Sequence, residues 1–170
     1  KETHVEAMTS HGITPIDLVC INLYPFEQTI AQPGTTFDEA IEQIDIGGPA
    51  ILRSAAKNHD FVTAVTDFGQ YDRVVADLQK NEGHTSDRLR RDLATAAFVR
   101  TASYDTAISA WMSSRSDELF PPNLRMTYAH ERELRYGENP HQKAALYSNP
   151  ASAQTSVVRA SVLSGKPLSY

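Results

Sequence analysis

The chain has 170 residues and a net charge of −5, and 41% of its residues are hydrophobic. This length fits one globular domain, or one domain and part of a second. Lysine and arginine are scattered along the sequence rather than grouped in a stripe, which disfavours a nucleic-acid-binding protein. None of the six histidines pairs with another ligand residue at a metal-binding spacing, so we expect no metal site.

The composition also bears on the compartment. No apolar stretch approaches the roughly 20 residues that a membrane-spanning helix needs, and the first ten residues are too polar for a signal peptide. The single cysteine, Cys20, excludes an internal disulfide bond. It lies in an apolar run, so we expect a buried thiol. These features predict a cytoplasmic protein without a membrane partner.

A short amphipathic helix is predicted over residues 1–11, followed by a strand over Ile16–Leu23. The strand is almost continuously apolar and is bounded by prolines, which is typical of a parallel-sheet strand buried on both faces. Ligands of parallel sheets bind at the carboxyl ends of the strands. Asn22 and Tyr24 are therefore candidate site residues by their position.

Two helices are predicted next. Thr36 and Glu39 form the pattern of a capping box at the start of the first helix. The glycine pair Gly47-Gly48 interrupts the helical pattern, and Pro49 fits the first turn of a second helix that continues through residues 50–58.

The rest of the sequence continues to alternate between strands and helices, which predicts an α/β fold. Ser86 is the predicted cap of a long helix. The predicted elements are a strand at 61–66, a helix from Tyr71, the long helix at about 87–112, and strands at 144–147 and 157–163.

Three side chains are candidates for catalysis, and each has an alternative role. Lys57 near a helix end either interacts with the helix dipole or, in a pocket, acts as an acid or base. Asp45 is either a turn aspartate or a carboxylate that accepts hydrogen bonds from a substrate. Tyr24 is either a core tyrosine or a phenol in the site. We expect the three to meet in one cavity beside the sheet.

Other residues are candidates for substrate binding. Asn22 either caps a loop or contacts the substrate, and the backbone N–H groups of Ile46 to Gly48, Gly47 included, can donate to anions and carbonyl oxygens. Arg135 can hold a phosphate or carboxylate with two hydrogen bonds, and Tyr136 can stack on a base. The alternative for the run around Arg135 is an interdomain loop held by hydrogen bonds.

The segments NLYPF, EQIDIGG and AAKNH, followed by LRYGENPHQ, occur in an order and spacing that resemble one known family. This family is the bifunctional purine-biosynthesis enzymes that join an IMP cyclohydrolase to an AICAR transformylase. The resemblance covers essentially the whole chain. It implies a methylglyoxal-synthase-like parallel sheet with helices and a long helical connector in residues 1–128, the C-terminal part of the cyclohydrolase domain. Residues 129–170 would begin an α/β transformylase domain.

The resemblance implies the last two steps of purine biosynthesis. The transformylase formylates AICAR (aminoimidazole carboxamide ribonucleotide) with 10-formyltetrahydrofolate as cosubstrate, and the cyclohydrolase closes the product, FAICAR, to IMP with loss of water. It also implies a cytoplasmic homodimer, no nucleic-acid or membrane partner, and no cofactor bound by this chain. Because the sequence starts with Lys1 and lacks the family's phosphate-binding and folate-binding segments, we expect an internal fragment that is inactive alone.

The resemblance also implies roles for individual residues. Lys57 matches the lysine that transfers a proton in cyclisation, and Tyr24 and Asp45 match the other catalytic side chains. A non-catalytic nucleotide-sensing module of the same fold is one alternative, and a structural dimerisation segment is another. The matched binding positions are Ile21, Asn22 and Ile46 for the cyclohydrolase nucleotide, and Arg135 and Tyr136 for AICAR.

Overall fold

The computed structural model describes residues 2–116, 120, 122–123, 125–150, 152 and 154–169. The chain divides into two compact units, Lys1–Asp117 and Glu118–Tyr170. The functional boundary after residue 128 stays a prediction, because compactness does not identify a functional domain.

The first unit combines two short strands with six helices in its described part, which confirms the predicted α/β class. A short 3₁₀ helix at Phe68–Gln70 separates β2 from α5. The elements in chain order are α1 (Glu2–Ser10), β1 (Leu18–Cys20), α2 (Phe26–Ile30), α3 (Phe37–Glu42), α4 (Gly47–Lys57), β2 (Thr63–Val65), α5 (Tyr71–Lys80) and α6 (Asp87–Ser113).

Strands β1 and β2 pair in parallel. The pairing continues past β1, where the Ile21 N–H donates to the Val65 carbonyl at 3.0 Å. Both strands therefore end at the same edge of the sheet, which we call the carboxyl edge. The register pairs Leu18 with Thr63, Val19 with Ala64 and Cys20 with Val65.

The long helix α6 supports this sheet edge through aromatic packing. Phe26 and Tyr104 are fully buried, with their ring centroids 6.2 Å apart in an edge-on contact. Phe26 also meets Trp111 of α6 edge-on at 5.7 Å. Leu23 and Leu52 belong to the same buried cluster, so the segment after β1, the middle of α4 and the second half of α6 share one core.

The strand β1 differs from its prediction in length and burial. It covers Leu18–Cys20 rather than Ile16–Leu23, and both Leu18 and Cys20 are exposed. Successive strand residues point to opposite faces. Only the face of Val19 packs on the core, so burial on both faces and the buried thiol of Cys20 were wrong predictions for the described part of the chain.

The predicted helix signals of the first unit are confirmed. Thr36 and Glu39 form the complete capping box of α3, and the Ser86 hydroxyl accepts the Leu89 N–H at 3.3 Å to cap α6. The helix α2 was not predicted, because its five residues are too few to show helical periodicity.

The second unit contains an antiparallel pair, β3 (Ala129–Glu133) and β4 (Ala145–Ser148), with an irregular register between His130 and Arg132. The sequence predicted β4 but not β3, because the residues AHERE lack the alternation of apolar and polar side chains that indicates a strand. The strand predicted at 157–163 is wrong, since Val157–Arg159 forms a 3₁₀ helix.

Asp77 of α5 accepts hydrogen bonds from Ser86 at the start of α6. This contact predicts how the free energy of unfolding depends on pH. The Asp77 carboxylate accepts the Ser86 N–H at 2.6 Å and the Ser86 hydroxyl at 3.1 Å. The hydrogen bond from the Ser86 backbone, joined by that of the hydroxyl, lowers the pKa of Asp77 in the folded protein.

Because the folded-state pKa is lowered, the Asp77 contact contributes fully above the unfolded pKa of about 3.9 and is lost as pH falls through the lower folded value. We expect Asp77→Asn to reduce the free energy of unfolding at neutral pH and to flatten its decline at acid pH. Urea denaturation across this range measures both effects. Asp105→Asn, at an exposed position on α6, is the control, and an equally flattened decline in that variant would contradict the assignment.

Candidate active site

A cleft of about 340 Å³ lies at the carboxyl edge of the parallel sheet. Its volume falls in the usual range of small-ligand sites. It contains the predicted residue Asn22 and lies where a parallel sheet is expected to bind its ligand. The residues that line it include Asn22, Leu23 and Glu27 after β1, and Thr66, Asp67 and Phe68 after β2.

Asn22 is held at this edge by a side chain that follows β2. Its Nδ2 donates to the hydroxyl of Tyr71 at 3.3 Å, and the Cys20 thiol donates to the same hydroxyl at 3.2 Å. The neighbouring Ile21 uses its N–H in the sheet, so its carbonyl is the backbone group that remains for a ligand.

Asp45 caps the start of α4. Its Oδ1 accepts the Gly48 N–H at 2.7 Å, an arrangement that also places a negative charge at the positive end of the helix. A Cβ atom on Gly48 would lie 2.9 Å from the Asp45 Cγ, so only glycine permits this approach. The N–H of Gly47 makes no hydrogen bond within the described residues, and Ile46 is 77% exposed.

The direction of α4 places this helix start near the carboxyl edge. The helix packs on β2 and connects to it through residues 58–62, so it runs back along the strand in the opposite direction. Its first residue, Gly47, therefore lies toward the carboxyl ends of the strands, and its last residue, Lys57, lies toward their amino ends.

Sequence reasoning missed Tyr104, which fixes the turn that carries Asp45. The Tyr104 hydroxyl accepts the Asp45 backbone N–H at 2.9 Å and donates to the Gln43 carbonyl at 2.8 Å. Burial raises the pKa of Tyr104, so the hydroxyl remains a donor at neutral pH. A tyrosine on the apolar face of a long helix gives no sequence signal for partners so distant along the chain.

Tyr24 is 54% exposed, which makes the core-tyrosine alternative wrong. Lys57 is the exposed last residue of α4. With a helical rise of 1.5 Å per residue, Lys57 lies about 15 Å from Gly47 along the helix axis. The described part of one chain therefore does not bring Lys57 and Asp45 into one cavity, and the position of Lys57 fits an interaction with the helix dipole.

The second unit holds the other predicted binding residues. The Arg135 Nε donates to the Pro167 carbonyl at 2.7 Å, and the guanidinium lies 5.1 Å from the centre of the Tyr136 ring. The Gly137 N–H donates to the Gln142 carbonyl at 2.8 Å, which closes the loop. The hydrogen-bonded loop and the binding role are therefore compatible, because the terminal guanidinium nitrogens of Arg135 make no hydrogen bond within the described residues.

Within the described ranges, no group of three or more His, Cys, Asp or Glu side chains could hold a metal ion. In the same ranges, no helix combines the length and the apolar character that a membrane span requires.

Family models match the chain over nearly all its length. The model of the AICARFT/IMPCHase bienzyme matches residues 55–170. The chain belongs to the AICARFT/IMPCHase bienzyme family. A second model, of the MGS-like domain, matches residues 1–50, which agrees with the α/β fold and the parallel strand pair of the first unit.

Curated relatives of this family align with all or nearly all of the chain. The bifunctional purine biosynthesis protein PurH of Bacillus cereus (strain G9842) is 51% identical over 170 residues, which are 100% of this chain and 33% of the relative. The PurH of Listeria monocytogenes serovar 1/2a is 50% identical over 167 residues, covering 98% of this chain and 33% of the relative. The chain therefore spans about a third of the length of these relatives.

A solved structure, titled "Crystal structure of ForH", is similar with a TM-score of 0.60 and 34% sequence identity. The similarity covers 69% of this chain and 61% of that chain. It supports the fold described for this family member.

The hydroxyl of Tyr104 gives a stability prediction. Tyr104→Phe leaves the Asp45 N–H and the Gln43 carbonyl without their partner, so we expect the free energy of unfolding to fall by about 1–3 kcal/mol. Urea denaturation measures this change. Tyr24→Phe is the matched control, because its exposed hydroxyl makes no hydrogen bond within the described residues, and a similar loss there would refute the anchoring role.

Proposed function

We propose that this chain carries part of a cyclohydrolase that closes FAICAR to IMP and the beginning of a transformylase that formylates AICAR. The observation that carries this proposal is the 51% identity, over all 170 residues, to a protein named for bifunctional purine biosynthesis. The proposal includes 10-formyltetrahydrofolate as the formyl donor, a cytoplasmic location and a homodimer. Both activities belong to the full-length protein, of which this chain is a part.

Ring closure sets clear chemical requirements. The carboxamide nitrogen of FAICAR attacks the formyl carbon, and the formyl oxygen gains a proton to become a hydroxyl group. The carboxamide nitrogen gives up one of its two protons, and the hydroxyl then leaves as water with the proton of the formamide nitrogen, while a double bond forms between that nitrogen and the former formyl carbon. Such a site needs hydrogen-bond donors for the developing negative oxygen and an acceptor for the departing proton.

The residues near the carboxyl edge meet these requirements. The Gly47 N–H and the Tyr24 hydroxyl are donors suited to the formyl oxygen. The Oδ2 of Asp45, which makes no hydrogen bond within the described residues, is an acceptor suited to the carboxamide N–H. Asn22, the Ile21 carbonyl and the Ile46 backbone hold the nucleotide. The Gly47 N–H, which makes no hydrogen bond within the described residues, and the position of Asn22 in the cleft support this arrangement.

Formation of IMP from FAICAR by the full-length protein tests the proposal as a whole. An absorbance assay of purine formation measures the reaction, and IMP binding is measured separately by calorimetry. Binding of IMP without any turnover would favour a nucleotide-sensing module over an enzyme.

Lys57 is assigned to proton transfer on the resemblance alone, and its distance from the start of α4 makes it the first assignment to test. In the full-length protein, we expect Lys57→Met to lower the cyclisation rate by about 100-fold while IMP binding persists. Lys80→Met is the matched control, because Lys80 is also an exposed lysine in the last turn of a helix. Unchanged turnover in Lys57→Met would leave Lys57 as a partner of the helix dipole.

Arg135 is proposed to bind AICAR through its terminal guanidinium nitrogens, since its Nε is bound to Pro167. We expect Arg135→Ala to raise the KM for AICAR by about tenfold or more and to leave cyclisation of FAICAR unchanged. Arg132→Ala, on the exposed strand β3, is the control. Equal losses in both activities would instead indicate that Arg135 serves folding.

A further inference from the structure

The hydroxyl of Tyr71 lies at the carboxyl edge and has no role in the proposed function. Tyr71 is the first residue of α5, directly after the 3₁₀ helix that follows β2. Its hydroxyl lies 3.3 Å from the Asn22 Nδ2 and 3.2 Å from the Cys20 Sγ. A side chain from the β2 side of the edge therefore reaches the end of β1 and contacts a proposed nucleotide-binding residue.

The hydrogen-bonding capacity of these groups determines what Tyr71 does to Asn22. A phenol oxygen can accept hydrogen bonds, and the Tyr71 oxygen accepts them from the Cys20 thiol and the Asn22 amide. The side-chain amide of Asn22 is planar, with its oxygen and nitrogen on opposite sides of the Cγ atom. Once the Nδ2 is turned toward Tyr71, the Oδ1 must point away from it as an acceptor.

We propose that Tyr71 is a positioning residue that fixes the Asn22 amide so that its Oδ1 accepts a hydrogen bond from a ribonucleotide. This inference rests on the proposed function, in which Asn22 binds the nucleotide of the cyclohydrolase. Without the Tyr71 hydroxyl, the amide can turn by half a rotation and present its N–H group where the ligand also presents a donor. The nucleotide then loses a hydrogen bond that the ordered amide supplies.

Tyr71 is 38% exposed, which makes substitution by phenylalanine a mild change. The ring keeps its place at the start of α5, and only the hydroxyl disappears. The variant therefore separates the positioning role from packing.

Calorimetric titration of the full-length protein with IMP tests the proposal through a double-mutant cycle. We expect Tyr71→Phe to weaken IMP binding by about fivefold, the usual size of one net hydrogen bond, and Asn22→Ala to weaken it at least as much. Because Tyr71 acts through Asn22, the double variant should bind no more weakly than Asn22→Ala alone. Additive losses, or undiminished binding in Tyr71→Phe, would overturn the proposal.

Steady-state kinetics and a control variant distinguish a positioning role of Tyr71 from a general loss of structure. Tyr71→Phe should raise the KM for FAICAR with kcat nearly unchanged, whereas a fall in kcat with an unchanged KM would contradict positioning. Tyr147→Phe, on the exposed face of β4, should leave both constants unchanged. If the unsubstituted protein does not bind IMP, the proposed function fails and this inference fails with it. If it binds IMP but Tyr71→Phe binds equally well, only the inference fails.

Discussion

The buried hydroxyl of Tyr104 is the contact on which the geometry of the first unit depends. It bridges the Gln43 carbonyl and the Asp45 N–H, at 2.8 Å and 2.9 Å, and thereby holds the connection between α3 and α4 against α6. The same ring packs edge-on against Phe26, which follows the segment that carries Tyr24. One side chain of a supporting helix therefore constrains two segments that carry proposed site residues.

At the start of α4, the residue that caps the helix, Asp45, is also a proposed catalytic residue. Asp45 commits one carboxylate oxygen to the Gly48 N–H, and the absence of a side chain at Gly48 is what allows that contact. Since Oδ1 is occupied, Oδ2 is the oxygen available to a substrate. The cap that begins the helix thus also orients the carboxylate, and a change that disturbs one function disturbs the other.

The sequence predicted those features that short-range contacts determine. The capping box of Thr36 and Glu39 and the span of α6 depend on residues within a few positions of one another. The second helix was predicted for the same reason, although α4 begins at Gly47, inside the glycine pair that was expected to precede it. The burial of β1 was mispredicted because an apolar run does not show which faces other elements cover. The helix at Val157–Arg159 was mispredicted as a strand for a related reason, since short apolar runs fit both structures.

At the candidate site, too, the sequence predicts features that depend on short-range contacts and misses those that depend on long-range contacts. Asn22 and Tyr24 were predicted as candidates because residues after a parallel strand reach a predictable edge of the sheet, and Asn22 lines the cleft at that edge. Tyr71 and Tyr104 were not predicted, because the partners of their hydroxyls lie 49 and 51 positions away for Tyr71 and 59 and 61 positions away for Tyr104. Hydrogen bonds of that span depend on how α5 and α6 pack, and no local pattern in the sequence encodes them.

The position of Lys57 places a physical limit on any mechanism that includes it. A continuous helix fixes the backbone of Lys57 about 15 Å from the start of α4 along the axis, and a lysine side chain spans only part of that distance. Lys57 is exposed, and at 0.1 M salt the screening length is about 10 Å, so its charge has little influence at Asp45. A direct role for Lys57 in cyclisation therefore requires that the bound nucleotide extend toward it, or that another copy of the chain supply it. Without either, the cyclisation that we propose has the Gly47 N–H and the Tyr24 hydroxyl as neutral donors and the Asp45 carboxylate as acceptor.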